Sequence, residues 1–113
     1  MRDVAAVSDL GVILRAAADI PGLIGAAWGL GGVLLREADL VPAFLDLRTG
    51  LLGELFQKCA TYRLAVAFVV PDPATHGERF PELAREHVAH PQIRFFREEG
   101  VAWAWLKGEG TAR

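Results

Sequence analysis

The sequence predicts one α/β domain built on a mixed, mostly parallel five-stranded sheet with four helices. Short β-prone apolar segments alternate along the chain with segments of helical periodicity, in the order ββαβαβαβα. Residues 64–70 are almost continuously apolar, which is typical of a central strand buried on both faces. Neither a repeat nor a linker interrupts the alternation. We therefore expect right-handed crossovers within a single domain of residues 1–107, followed by a flexible tail of residues 108–113.

The first two strands are predicted to form a hairpin. Residues 3–7 and 12–15 are short β-type runs, and Ser8-Asp9-Leu10-Gly11 lies between them with turn chemistry. The first helix runs from Asp19, whose carboxylate can cap it, to about residue 28, where a run of glycines ends it. Residues 32–37 are the third predicted strand.

The remaining elements follow from the same periods. A second helical region opens at Asp39 and Pro42, and its main part spans residues 50–61, with Asp46 and Thr49 as candidate caps. Its apolar stripe has the period of a helix and comprises Leu51, Leu52, Leu55, Phe56 and Cys59. Beyond the central strand, the pattern predicts a helix over residues 77–89, a strand over 92–97 and a last helix over 98–107.

Composition excludes several classes of protein. The net charge of the 113 residues is −2, which does not favour a nucleic-acid binder. The longest uncharged run, residues 20–35, is shorter than the ~20 residues of a membrane span and contains a proline and five glycines, so we expect no membrane segment. The N-terminus does not resemble a signal peptide, and the single Cys59 has no disulfide partner, so we expect a cytoplasmic protein.

A pattern of polar residues and glycines in the middle of the chain resembles a known family. Asp46-Leu47-Arg48-Thr49-Gly50, followed by Gly53-Glu54, Gln57-Lys58 and Tyr62-Arg63, is similar to the bacterial family catalogued as domain of unknown function 4180. The resemblance covers about residues 12–107 and implies a fold but no reaction, because the family has no settled activity. The element order is also similar to that of STAS-like domains, which include anti-sigma-factor antagonists.

Arg48-Thr49-Gly50 is the candidate ligand site. The segment stands where a helix is predicted to begin, and unpaired N–H groups favour an anion there. Arg48 could add a fork for a carboxylate or phosphate, and Glu54 and Lys58 follow on the polar face of the helix. The alternative is structural: Thr49 caps the helix, Arg48 pairs with Asp46 or Glu54, and the glycines allow tight packing.

Tryptophans suggest an interface. In the last helix Trp105 fits the inward stripe, so Trp103 is expected to point outward. Trp28 is the second interface candidate. Phe95 and Phe96 are adjacent and must face opposite sides of a strand, so both faces of that strand need cover. A homodimer would account for these features together.

The other reactive side chains favour structural roles. His87 and His90 have a spacing that can bind a metal, but a buried or capping histidine explains them as well. His76 is expected to be exposed, and Cys59 to be a core residue. Because catalytic motifs are absent from the sequence, we predict no catalytic residue, no metal and no cofactor.

Two functional hypotheses remain open. The first is a small non-enzymatic α/β module with a regulatory or protein-interaction role. The second is a binder of a small anionic ligand at Arg48-Thr49-Gly50, with weak enzymatic chemistry as a further option.

Overall fold

The sheet is entirely parallel in the computed structural model of the protein, which describes residues 3–87 and 90–108. Within these residues four strands pair in sequence order: β1 (Val4–Ala6), β2 (Gly32–Arg36), β3 (Ala65–Val69) and β4 (Ile93–Phe96). Because every neighbour is parallel, each pair is joined by a helical crossover. All strands therefore begin at one edge of the sheet, here called the amino edge, and end at the carboxyl edge.

The central strand lies where the sequence predicts it. β3 pairs with β2 on one side and with β4 on the other, and Val66, Ala67, Phe68 and Val69 are all buried. Its side chains alternate between two separate clusters, with Val66 and Phe68 in one and Ala67 and Val69 in the other. The prediction of a strand covered on both faces is confirmed.

The crossover helices pack on one face of the sheet. They are α1 (Ile20–Ala26), α2 (Pro42–Leu45), α3 (Leu51–Thr61) and α4 (Phe80–Glu86), and each contributes to the larger core cluster. Pro21 and Pro42 occupy first-turn positions, where a missing N–H group costs nothing. Gly29 follows α1 with a φ of 88°, a conformation that glycine adopts without steric strain.

The opposite face of the sheet is covered by α5 (Glu99–Leu106), which contacts β2, β3 and β4. Ala102 is the buried centre of this smaller cluster, and Phe96, Trp105 and Leu106 pack around it. The helix approaches β2 so closely that a Cβ atom on Gly32 would lie 2.8 Å from Leu106 Cδ2. Phe95 belongs to the larger cluster, so the prediction that it and Phe96 face opposite sides is confirmed.

The predicted hairpin is wrong, and with it the five-strand count. Val7–Leu10 form a 3-10 turn that ends at Gly11 in the left-handed region, and the chain then leaves β1. Leu14 makes a single parallel bridge to Leu40 beyond the end of β2, while β1 itself pairs with β2. Four residues of alternating polarity are compatible both with a strand and with an extended segment that buries one side chain. Residues 12–15 are the second case, because Leu14 is completely buried.

Other boundaries also differ from the expectations. The second helical region divides into α2 and α3, so the described residues contain five α-helices rather than four. The third predicted helix begins only at Phe80; the 3-10 turn Pro73–His76 precedes it, and Gly77, where the prediction starts the helix, has a φ of 107°, which is not helical. Residues 88–89 of that predicted helix, and 109–113 of the predicted tail, lie outside the described residues.

Candidate functional site

The loops that follow β2 and β3 form a cleft at the carboxyl edge of the sheet. Open parallel sheets commonly bind ligands at this edge, because the loops after neighbouring strands meet there. A cavity of about 610 Å³ is lined by Glu37, Asp46, Arg48 and His76 together with apolar side chains of residues 40–45. A second cavity of about 580 Å³ adjoins it, shares Asp46, Arg48 and His76, and extends to Glu78 and Arg79.

Arg48 lies at this cleft, as the candidate-site hypothesis requires, but its guanidinium is already paired. Its Nε and Nη2 atoms donate to the two carboxylate oxygens of Asp46 at 3.0 and 2.9 Å, and its backbone N–H donates to the same group. These hydrogen bonds lower the pKa of Asp46 to about 2. The Arg48 side chain is 91% exposed, so the pair is a weak surface interaction that a ligand anion could displace.

Thr49 and Gly50 have structural roles. The Thr49 hydroxyl donates to the Ala43 carbonyl and accepts the N–H of Leu51, the first residue of α3, while Gly50 occupies the N-cap position. Gly50 has a φ of 75°, which explains why glycine stands there. A Cβ atom at Gly50 or Gly53 would meet nothing within 4 Å, so the suggestion that these glycines allow tight packing is wrong.

His76 lines the cleft and is not the exposed residue that the sequence suggested. Its side chain is only 17% exposed, its Nε2 donates to the Glu37 carboxylate, and its ring packs against Phe80. Glu37 is placed by a 3-10 turn in which the buried Asp39 carboxylate accepts the Arg36 N–H. Glu37 and His76 are 39 positions apart, so only the parallel order of β2 and β3 could have indicated the pair.

The structure does not bring the whole candidate site together. Glu54 and Lys58 lie on α3, which carries the chain from the carboxyl edge back to the amino edge. From Gly50 to Lys58 the helix rises about 12 Å, at ~1.5 Å per residue. Lys58 consequently lines a different cleft, with Pro21, Trp28 and Tyr62, and is separated from Arg48.

Two aromatic side chains stand exposed at the amino edge. Trp28 follows α1 and is 75% exposed, and Tyr62 follows α3 and is 53% exposed. Their rings meet edge to face, with centroids 6.5 Å apart and planes inclined by 66°. We call this pair the aromatic ridge. Both residues occupy the turn between a crossover helix and the next strand, so the parallel topology is what places them side by side.

Shallow clefts flank the aromatic ridge. One has a volume of about 260 Å³ and includes Lys58, and the other has a volume of about 370 Å³ and includes Arg63. Trp28, Tyr62 and Ile24 line both clefts. Trp28 was expected from the sequence, whereas the contributions of Tyr62 and Arg63 were not recognised, because they depend on the end of α3.

Trp103 was expected to point away from the domain, but it does not. It packs against the smaller core cluster, its indole Nε1 donates to Glu99 at 3.2 Å, and Lys107 lies over its ring. Glu99 also accepts two hydrogen bonds from Arg36, which lower its pKa to about 2. This network anchors the start of α5 to the end of β2.

The remaining nucleophilic and metal-ligating side chains are engaged in the fold. Cys59 is completely buried, and burial raises the pKa of its thiol to about 12, which confirms it as a core residue. His87 Nδ1 contacts the Leu83 carbonyl, and His90 Nδ1 accepts the N–H groups of Gln92 and Ile93. Within residues 3–87 and 90–108, no group of three or more His, Cys, Asp or Glu side chains could hold a metal ion.

Comparison with known proteins gives a family and little more. A family model described as Domain of unknown function (DUF4180) matches residues 1–106. No curated protein and no solved structure matches the chain. In the part of the chain that the structure describes, no helix has both the length and the apolar character needed to cross a membrane.

Proposed function

We propose that this chain, which belongs to the family described as Domain of unknown function (DUF4180), is a non-enzymatic module that binds another protein chain through its aromatic ridge. The observation that carries the proposal is the 75% exposure of Trp28, beside the half-exposed Tyr62. Tryptophan and tyrosine are enriched among the residues that dominate protein–protein binding energies.

Covering Trp28 would remove a large apolar area from water. A tryptophan side chain buries about 150–250 Å² when it is covered. Removing about 150 Å² of Trp28 from water, at about 25 cal/mol/Å², would contribute on the order of 4 kcal/mol before the costs of association. The indole is not part of the larger core cluster.

A regulatory role in the cytoplasm, exerted through the bound partner chain, is part of the proposal. The homodimer expected from the sequence stays a prediction, and light scattering of the purified chain would measure it. If the aromatic ridge holds a dimer, the Trp28→Ala variant should show the mass of a monomer in the same measurement.

The test compares two exposed side chains. Ile13 is 48% exposed and does not line either cleft of the aromatic ridge, so Ile13→Ala is a matched control for Trp28→Ala. We expect proteins captured by the immobilised wild-type chain to be retained by Ile13→Ala and lost by Trp28→Ala. With a purified captured partner, Kd should rise at least about tenfold for Trp28→Ala alone. Equal affinities for all three chains would refute the proposal.

A second candidate function is the binding of a small anion at the carboxyl-edge cleft. It is favoured by one observation, the 91% exposure of Arg48 where the two cavities adjoin. Phosphate or a small carboxylate should then raise the melting temperature of the wild-type chain but not of Arg48→Ala. The absence of any shift across a panel of anions would count against this function.

A further inference from the structure

We infer that the occupant of the aromatic ridge is an extended acidic peptide segment of a partner protein, in which an apolar side chain lies between two carboxylates. This inference rests on the proposed function, because it names the partner chemistry of the same surface. It follows from the charges around the ridge, from their placement and from the backbone at Arg63.

The charged side chains that line the two clefts of the aromatic ridge are both cationic. Lys58 and Arg63 are the charged residues that line the two clefts, whereas the whole chain has a net charge of −2. Both are exposed, and neither forms an ion pair with any other residue in 3–87 or 90–108. Two unpaired cations beside two exposed aromatic rings are complementary to a ligand that is both acidic and apolar.

The two cations line different clefts beside the ridge. Lys58 belongs to the cleft with Pro21, and Arg63 belongs to the cleft with Gly29 and Leu30. An extended segment that crosses Trp28 can therefore place one carboxylate toward each cation, with an apolar side chain against the indole. The clefts hold about 260 and 370 Å³, which suits individual side chains rather than a whole helix.

The backbone at Arg63 supports a binding role for its side chain. Arg63 has a φ of 55° and is the one non-glycine residue with positive φ among the described residues. The chain uses glycine at the other positive-φ positions, including Gly29 at the end of α1. Arginine is strained in this conformation, where glycine is not, so its presence points to a use for the guanidinium.

Two other occupants fit less well. A second copy seated symmetrically on the ridge would bring Lys58 and Arg63 against cations of the same kind. A single-stranded nucleic acid would gain from the aromatic rings and the cations, but the edge-to-face geometry does not give two parallel stacking surfaces. We therefore commit to the acidic peptide.

The first experiment selects peptides from a random-peptide phage library on the immobilised full chain and, in a parallel selection, on Trp28→Ala. We expect the enriched peptides to carry acidic residues on both sides of an aliphatic, aromatic or proline residue. Enrichment of basic or neutral peptides, or enrichment that survives on Trp28→Ala, would overturn the inference. So would binding of an oligothymidylate probe, or a mass that shows Trp28-dependent dimers in place of peptide binding.

The second experiment uses charge variants and a synthetic peptide from that selection. Lys58→Glu and Arg63→Glu should each raise Kd by about tenfold or more, and sodium chloride should weaken wild-type binding. Arg15→Glu is the matched control, because Arg15 is exposed and does not line either cleft. Arg63→Gly should raise the melting temperature, because it removes backbone strain, but it should still raise the Kd of the peptide.

These outcomes separate the inference from the proposed function. If Trp28→Ala abolishes binding while both charge reversals leave Kd unchanged, the ridge is an interface and the acidic partner is wrong. If Trp28→Ala also leaves Kd unchanged, the proposed function is wrong as well. A Lys58→Glu or Arg63→Glu effect that Arg15→Glu reproduces would reflect net charge alone, and would also overturn the inference.

Discussion

Gly32 is the position where the close approach of α5 to the sheet can be tested directly. A Cβ atom there would lie 2.8 Å from Leu106 Cδ2, 3.0 Å from the Ala65 carbonyl oxygen and 3.1 Å from Ala65 Cβ. The leucine end can move, but the Ala65 atoms belong to the paired strand β3 and cannot. The substitution Gly32→Ala therefore forces β2, β3 and α5 apart.

The magnitude follows from two opposing effects. Overpacking of a filled site costs about 1–3 kcal/mol. Replacing glycine by alanine also restricts the unfolded chain, which returns about 0.4–1 kcal/mol. We expect Gly32→Ala to lower the free energy of unfolding by about 1–2 kcal/mol. For a domain of this size the melting temperature should fall by roughly 4–8 °C.

The matched control is Gly53→Ala. Gly53 lies inside α3, is exposed, and has no atom within 4 Å of an added Cβ. Alanine favours the helix over glycine by about 1 kcal/mol, so this variant should be more stable than the wild type. Thermal and urea unfolding followed by circular dichroism would measure both variants under the same conditions.

Opposite signs for the two variants are the central expectation. If Gly32→Ala is as stable as the wild type or more stable, the proposed packing of α5 on β2 is refuted. If both variants are destabilised equally, the space around the added Cβ atom, which is filled at Gly32 and open at Gly53, does not determine the effect of the substitution.

Three further predictions concern other contacts. The Arg36–Glu99 pair stabilises the folded chain fully above pH 4.5, the carboxyl pKa of the unfolded chain, and this stabilisation is lost as the pH falls through the folded pKa of about 2. The difference in melting temperature between the wild type and Arg36→Ala should therefore shrink between pH 4.5 and pH 2. Cys59, with a pKa raised to about 12, should resist a thiol reagent at pH 8 in the folded chain and react after unfolding. Thr49→Val removes the hydroxyl that accepts the Leu51 N–H and should cost about 1 kcal/mol in urea unfolding, whereas Thr49→Ser should cost less.

The sequence predicts the crossover part of this fold well, because its signals are local. The apolar run around Phe68 indicates a fully covered strand, and glycines and prolines mark the ends of the helices. The hairpin fails because residues 12–15 show the same alternation as a strand, while the partner of Leu14 is Leu40, far along the chain. A local pattern does not identify which segment an extended residue pairs with.

The candidate sites show the same division. Local chemistry correctly indicates that Thr49 hydrogen-bonds the start of α3 and that Arg48 pairs with Asp46, although Gly50 and not Thr49 is the N-cap. The local pattern does not show that Lys58 and Arg48 lie at opposite edges of the sheet, because both residues belong to the same run of polar positions along the sequence. The Glu37–His76 contact and the aromatic ridge arise from parallel neighbours, so they required the topology.

The placement of α5 has a consequence for how the chain folds during synthesis. Each crossover helix emerges from the ribosome before the strand that follows it, so the larger core can assemble progressively as translation proceeds. The opposite face has no cover until α5 is made, and until then Leu34, Ala67 and Val69 present apolar surface to the surroundings. The second face of the sheet is therefore the last part of the core to be covered, when α5 docks on it.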